Sequence, residues 1–485
     1  MSISTDAGAE RFAYQRLAEA LAGQIRRGTL RPGDRLPSVR GMSRKHRVSI
    51  STVMQAYRRL ESLRLVEARQ RSGFFVAARR LDRVPPPAMS APASKPATVG
   101  TCALIAEIVR AVADPSAVPL GAALPDPALL PVRALNRSMG SALRAAGATA
   151  TSQLRAEGLD ELRHEIAKRE WNVGRASYHD EIVVTCGASE ALELALHATT
   201  RPGDIVAVES PAFFGVLQLI ELLDRRVLEI PTCPERGLDV DALVSAVESH
   251  PVRACVVTPN HQNPLGARMP DASKARLVEA MAERGIPVIE DDTFGELYFD
   301  GVQPRSLRAW DRTGTVLRCG SFGKTLAPGF RVGWIVPGPR YMEAVRRVKL
   351  ATTIATSGPA QLAIARYLAG GGYDRHLRGL RARLRDNVQR MAAGIAASFP
   401  EGTRISRPTG GFVLWVELPG NADSLELYGR ARDAGITICP GPIFSSHGAF
   451  RSNIRVSAGH PWSEKTEWAI ATLARLARQA WPPGE

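Results

Sequence analysis

Residues 319–334 read "CGSFGKTLAPGFRVGW". A strand-like run, "TVLRCG", leads into Ser321; Lys324 follows in a turn of small residues, and Arg331 stands seven positions beyond the lysine. A lysine held in a semi-buried pocket has a lowered pKa and forms a Schiff base with an aldehyde. Ser321 and Arg331 are the types of residue that together hold a phosphate dianion. The stretch predicts a strand end carrying a reactive amine and an anion site, and the rest of the chain must supply the fold around it.

Outward from it, apolar runs such as "EIVVTCG", "DIVAVESP", "ACVVTPN", "GIPVIEDD" and "RVGWIVPG" alternate with helical stretches such as "ASEALELALHATT". Strands buried on both faces read as continuous apolar runs, and this alternation predicts a mostly parallel sheet wrapped by helices. Ligands of such sheets bind beyond the C-terminal ends of the strands. In "TCGASEAL" (185–192), Gly187, Ala188 and Ser189 follow a strand and open a helix, which makes either an anion site or a plain capped helix. In "PNHQNPLG" (259–266), Asn263 either caps a turn or donates to a ligand oxygen. "VIEDDTFGELYF" (288–299) sets two consecutive carboxylates after a strand; burial is costly for both, so one is expected to meet a cation. "SNIRVSAG" (452–459) carries Arg455 in a short apolar strand, where its guanidinium could grip a carboxylate bidentately.

Together these features describe one ligand. It has a phosphate (Ser189, Ser321, Arg331), an aldehyde (Lys324), a phenolic oxygen (Asn263) and a ring nitrogen to be kept protonated (Asp291), which is pyridoxal 5′-phosphate (PLP). From about 115 to 480 the sequence resembles the fold-type I aminotransferases. That resemblance implies that Asp291 pairs the pyridine nitrogen, Asn263 meets the phenolic oxygen and Lys324 is the Schiff-base lysine. It also implies that Phe213 of "ESPAFFG" stacks on the ring and that Arg455 clamps a ligand carboxylate; "PTGGFVLWVEL" (408–418) fits the same family. One departure stands out. Relatives usually place a tyrosine two or three residues after the aspartate, and this chain has Thr293 and Phe294, with Thr293 a partial substitute for the missing hydroxyl.

The other end of the chain differs. The net charge is +15, yet residues 1–80 hold 17 Lys+Arg against 6 Asp+Glu, a net +11, leaving +4 for the rest. Such a concentrated positive field is the footprint of a polyanion partner, or else a solvated face. Leu17, Leu21 and Ile25 form one apolar helical stripe; Ser38 is placed to cap a second helix with Val39, Met42 and His46 near helical spacing; "SISTVMQAYRRLESL" (49–63) buries Val53, Tyr57 and Leu60. "LVEA" and "FFVA" then flank the basic turn "RQRSG". Three helices and a basic hairpin are the parts of a winged helix-turn-helix, whose recognition helix presents its N-terminal residues, here Ser49, Ile50, Ser51 and Thr52, to the major groove. Arg40, Arg44, Lys45 and Arg47 can neutralise phosphates, and Arg69, Arg71 and Gly73 suit a wing.

Residues 10–78 resemble the GntR family of bacterial repressors in "G-x-L-x-P-G-D-x-L-P-S-V-R", "V-S-I-S-T-V-x-x-A-Y-x-x-L" and "G-F-F-V". The match implies DNA contacts from Arg40, Ser49, Ser51, Thr52 and Gly73, and departs at Ile50, where many relatives are polar or basic. Between the two parts, 79–114 opens with "RRLDRVPPPAMSAPASKPATVG", a composition expected to form an extended spacer. A GntR-like head joined to an aminotransferase-like body of 115–480 is the layout of the MocR subfamily of transcriptional regulators. It implies a homodimer, head-to-tail, that binds operator DNA and senses an amine, an amino acid or PLP itself. The rival is a working aminotransferase with an accessory DNA-binding head.

The six cysteines are scattered without a C-x-x-C pair, which argues against zinc and against a disulfide framework. No run approaches the roughly 18 apolar residues of a membrane span. The N-terminus has no apolar signal core, so a cytoplasmic location is expected.

Overall fold

A computed structural model describes residues 13–26, 29–30, 34–62, 65–69, 73–76, 84–112, 114–175, 177–420 and 422–480. The chain divides into two units, Met1–Arg83 and Val84–Glu485.

The small unit has helices Ala13–Arg26, Val39–His46 and Ile50–Ser62, then strands Val66–Arg69 and Gly73–Val76. The strands pair antiparallel with Val66 opposite Val76. Leu17, Leu21, Met42, Val53, Tyr57, Leu60, Val66 and Val76 make its core, so the apolar stripes of all three helices face inward; His46, near the same spacing, is exposed. The Tyr57 hydroxyl donates to the Pro37 carbonyl at 2.7 Å, tying the third helix to the turn before the second. Ser38 caps the second helix by accepting from the Gly41 N–H at 3.1 Å.

The large unit is built on an eight-stranded sheet. Its order is Val183–Thr185, Gly333–Val336, Val316–Ser321, Val288–Asp291, Val252–Val257, Ile205–Ser210, Arg226–Cys233 and Gly237–Leu238. The five strands from Val316–Ser321 to Arg226–Cys233 run parallel, and Gly333–Val336 is antiparallel to both neighbours. Val206, Val208, Ala254, Val256, Ile289 and Leu317 pack one face, while Ala207, Leu228, Cys255, Val257, Val288 and Val316 pack the other. Burial on both faces explains the unbroken apolar runs. A second, antiparallel sheet of Arg404–Ile405, Val413–Glu417, Asn453–Ser457 and Cys439–Pro440 forms a smaller layer towards the C-terminus.

The segment over 79–114, expected to be an extended spacer, is joined to the large unit from Val84 onward. Ser90 Oγ donates to the Ser210 carbonyl at 2.5 Å, Ala97 bridges Val227, and the Ala88 N–H donates to Glu417 at 3.0 Å. Prolines leave a segment few ladder donors, yet the N–H groups of Ala88, Ser90, Ala97 and Gly100 find partners elsewhere in the large unit. Cys102–Val112 is a helix with Ile105 and Ile108 fully buried, so composition alone hid a packed element.

Candidate cofactor site and DNA-reading helix

The strand ends converge on one cavity of about 290 Å³, lined among others by Phe213, Thr258, Asn263, Asp291, Thr293, Phe294, Lys324 and Arg455. Phe213 follows Ile205–Ser210, Thr258 and Asn263 follow Val252–Val257, Asp291, Thr293 and Phe294 stand at the end of Val288–Asp291, and Lys324 follows Val316–Ser321, as parallel sheets place ligand-binding groups. Arg455 comes from the second sheet. The structure thus gathers five of the residues singled out from sequence: Phe213, Asn263, Asp291, Lys324 and Arg455.

Lys324 lies three residues past Val316–Ser321 and donates to the Ala123 carbonyl at 2.7 Å. Burial lowers its pKa to about 8, helped by the cations of Arg455 and Arg331 and opposed by the charge of Asp291. The Asp291 carboxyl is shifted upward, chiefly by burial, while Thr293 pulls it back. Thr293 donates to Asp291 Oδ1 from both its hydroxyl and its N–H, the latter at 3.1 Å. The hydroxyl expected to replace the missing tyrosine is therefore committed to the aspartate. Phe294 packs edge-on against Phe412, with Lys324 Nζ 5.9 Å from its ring centre. The neighbouring carboxylate takes the cation: Arg318 donates to Asp292 at 2.6 Å, and Asn260 donates to it at 3.0 Å. Alternation along the chain sends Asp292 to that ion pair and leaves Asp291 facing the cavity.

Arg455 sits in the middle of Asn453–Ser457, opposite Trp415 and Cys439. It is buried, donates to Asn263 Oδ1 at 3.1 Å and to the Gly121 carbonyl at 2.5 Å, and its Nε has no partner among the described residues. Phe213 precedes the helix Phe214–Leu222, and its ring lies back over Gly215, where a Cβ would come within 2.6 Å of the ring.

Gly187, Ala188, Ser189, Ser321 and Arg331 are not on the cavity wall and form a neighbouring cluster. Gly187 begins the helix Ala188–Thr199 with φ +86°, and a Cβ there would meet Arg331 Nη2 at 2.8 Å. In the sheet Gly333 stands between Thr185 and Ser321, and a Cβ on it would come within 2.7 Å of the Gly187 carbonyl carbon. Three adjacent strands thus bring the two serine-bearing turns together, and two glycines allow the backbone and Arg331 to approach closely there. Arg331 donates to the Cys186 carbonyl at 3.2 Å, and Ser321 Oγ accepts from the Gly323 N–H at 2.9 Å. A helix start, hydroxyls and a guanidinium suit a phosphate; a pyridine ring, aldehyde and phenolic oxygen suit Phe213, Asp291, Lys324 and Asn263. The residues fit PLP on the chemistry of the donors and on the glycine-lined cradle.

Some of the wall was not legible in sequence. Thr258 follows the strand Val252–Val257 and donates its N–H to Glu209 at 3.0 Å; burial raises that Glu209 carboxyl to about 8. Ile108 and Val109 come from the helix inside the expected spacer, and Leu124 from the segment after the short strand Val118–Pro119; the i, i+3 pair Ile105 and Ile108 was the available signal.

In the small unit Ser49 Oγ accepts from the Thr52 N–H at 3.0 Å and lies within 2.7 Å of Ser51 Oγ and 2.8 Å of Thr52 Oγ1. Ser49 caps the third helix, and Ile50 beside it is 53% exposed. Arg40 and Arg44 are exposed on the second helix. Gly73 has φ +99°, a conformation side chains resist, at the first position of the strand Gly73–Val76. Arg71 lies outside the described residues.

Residues 126–471 match the model of aminotransferase class I and II, and residues 13–76 match that of the gntR family of bacterial regulatory proteins. The uncharacterized HTH-type transcriptional regulator YdcR of Escherichia coli K12 is 39% identical over 466 residues, 96% of this chain and 99% of its own length. This chain belongs to the MocR subfamily of GntR-type regulators. A further relative, the HTH-type transcriptional regulator TauR of Rhodobacter capsulatus, is 28% identical over 97% of this chain and 98% of its own. Among solved structures the chain is similar to LysN, the alpha-aminoadipate aminotransferase of Thermus thermophilus complexed with N-(5′-phosphopyridoxyl)-L-leucine, with a TM-score of 0.72, 28% identity, and coverage of 78% of this chain and 94% of that one. The body of this MocR-type chain is a fold-type I aminotransferase fold whose cofactor is PLP, and its head is a DNA-binding module. Among the described residues no helix is long and apolar enough to cross a membrane, and no cluster suits a metal ion.

Proposed function

We propose that this transcriptional regulator holds PLP through Lys324 and reads an amine, an amino acid or PLP itself in its aminotransferase-like body, changing the affinity of its head for operator DNA. The observation that carries the reading is the convergence of Lys324, Asp291, Asn263, Phe213 and Arg455 on one cavity, in a chain that also bears a winged helix-turn-helix. Arg331, Ser321, Ser189 and the N–H groups of the 187–189 turn would hold the phosphate, and Phe213 would cover the ring. Asp291, steadied by Thr293, would keep a proton on the ring nitrogen, and Asn263 would meet the phenolic oxygen. When bound, PLP supplies an aldehyde that condenses with primary amines. Arg455 would orient a ligand carboxylate. A ligand that makes different contacts in two states of the body shifts their balance, which is what a sensor requires.

In the head, Arg40 and Arg44 would meet phosphates while Ser49, Ser51 and Thr52 face base edges, with Arg71 and Gly73 in the wing. A homodimer, arranged head-to-tail in the cytoplasm, would place two heads on a two-fold operator.

The test is a fluorescence-anisotropy titration of the apo and PLP-loaded chain on DNA from its own upstream region at fixed salt. A shift in affinity with PLP alone makes the cofactor the signal; none makes PLP a fixed cofactor and an amine the signal. A second reading, a working aminotransferase, is favoured by the burial of Lys324 in the cavity, which lowers its pKa to about 8, so its amine can carry a proton to and from a substrate carbon. Sustained conversion of amino acid to keto acid would support it.

A further inference from the structure

Gly187 opens the helix Ala188–Thr199 without a side-chain cap, which leaves the first N–H groups of that helix to a ligand. Glu190 stands in the same first turn, and it is buried. A carboxylate there suits the helix by itself, but it occupies the end that a phosphate dianion needs, and the two negative charges repel. A cation from another element answers that charge. Lys349, in the last turn of the helix Gly338–Thr352, is wholly buried and donates to both oxygens of Glu190, at 2.8 and 3.0 Å. Thr353 donates to the same carboxylate, and so does the Cys186 N–H. Burial pushes the Glu190 carboxyl up, but the bonds from Lys349, Thr353 and Cys186 outweigh it and hold the group below the usual carboxylate range. Cys186 is thereby gripped on both sides, since its carbonyl accepts from Arg331 at 3.2 Å.

Resting on the reading that puts the cofactor phosphate at Gly187, Ser189, Ser321 and Arg331, we infer that Lys349 is a positioning residue for phosphate binding. It neutralises Glu190 and, through that carboxylate, holds the Cys186–Gly187 turn against Arg331. Stability alone does not call for the pair: a buried ion pair loses about as much on leaving water as it gains, and apolar side chains of similar volume serve as well. Neither residue lines the cavity beside Lys324, so neither touches the ring or the aldehyde. Both side chains are buried by their own chain, so their contacts need no partner subunit. The two partners therefore act with opposite signs on the phosphate. Without Lys349 an unneutralised carboxylate stands in the turn the phosphate takes; without the charge of Glu190 an ammonium stands near it instead.

The experiment measures the affinity of the apo full chain for PLP and for pyridoxal, which lacks the phosphate, by quenching of protein fluorescence at fixed neutral pH. Circular dichroism checks that each variant folds. K349M should weaken PLP about 10-fold, the order of one charge-assisted contact, and leave pyridoxal unchanged. K349M combined with E190Q removes both charges and should bring PLP affinity back to within about 3-fold of the parent. E190Q alone should bind PLP at least as tightly as the parent. It decides the matter if K349M does not fold, since a fall for PLP with pyridoxal unchanged would overturn the inference. A K349M chain that loses PLP and pyridoxal alike, or neither, would make the pair a support of the fold alone and would also overturn it, leaving the phosphate reading intact. R331M is the control on that reading and should lower PLP affinity while sparing pyridoxal. If R331M treats the two ligands alike, the phosphate lies elsewhere and both fall.

Discussion

In the proposed reading the chemistry turns on Lys324, and its environment gives a pH dependence. Below about pH 8 its amine is protonated and has no lone pair for the PLP aldehyde; above it the amine is neutral. The rate at which apo protein takes up PLP, followed by the rise of visible absorbance, should climb through about pH 8 and then level. Stability carries the same sign. The ordinary lysine value is 10.5 and burial depresses it, so between the two values the unfolded chain holds more protons. The penalty for the buried charge is full below about 8 and disappears as pH rises towards 10.5, so this group's contribution to apo stability improves across that window. Lys324→Ala should abolish the visible band while the head still binds DNA.

Thr293 is tested at the same scale. Its hydroxyl donates to the carboxyl of Asp291, and that bond opposes the upward push of burial. Thr293→Val keeps the shape and the backbone donor but removes the hydroxyl, so the carboxyl should hold its own proton more tightly and pair less well with a protonated ring. PLP affinity, measured by quenching of protein fluorescence, should fall about 10-fold, the order of one hydrogen bond to a charged group. An unchanged affinity would mean the backbone N–H alone suffices.

At the scale of elements, two turns decide whether the sites form. The turn at Gly187 opens a helix at φ +86° against Arg331, and Gly187→Ala would both strain that turn and push the guanidinium aside. PLP binding should weaken about 10-fold or more as the charge-assisted contact is lost, with DNA binding unaffected. In the head, Ser49→Ala removes the cap of the third helix and should cost about 1 kcal/mol of head stability, read as a lower melting temperature. The elements themselves were legible because double-sided burial writes unbroken apolar runs and the head's helices carry clear stripes. The strand ends were legible because polar residues there interrupt those runs. The helix Cys102–Val112 was not, because it follows a proline-rich stretch whose composition outweighed a single i, i+3 pair. Nor was the apolar wall, since Ile108, Leu124 and Phe294 lie far apart in the chain and share a surface only after folding. The role of Thr293 escaped for the opposite reason: its partner is two residues away, but which oxygen a hydroxyl reaches depends on local backbone geometry that sequence spacing leaves open.

At the scale of the molecule the two units carry different charges and so different sensitivities. The first eighty residues hold a net +11 and the remainder +4, which makes DNA binding by the head an electrostatic event. Each phosphate that the head neutralises releases counterions, so affinity falls steeply with salt and each lost contact flattens that fall. Arg40 is exposed on the second helix, and in the proposed reading it meets the phosphates. Arg40→Ala should weaken binding to all sequences alike and reduce the slope of log affinity against log salt by about 1. The body shares none of this field's origin: its cofactor groups sit at strand ends within the Val84–Glu485 unit. The visible spectrum and PLP affinity of Arg40→Ala should therefore equal those of the parent chain. A variant that lost both DNA and PLP would show that the head and body do not fold as separate units; one that lost affinity for a single sequence with the salt slope intact would move Arg40 from the phosphates to a base.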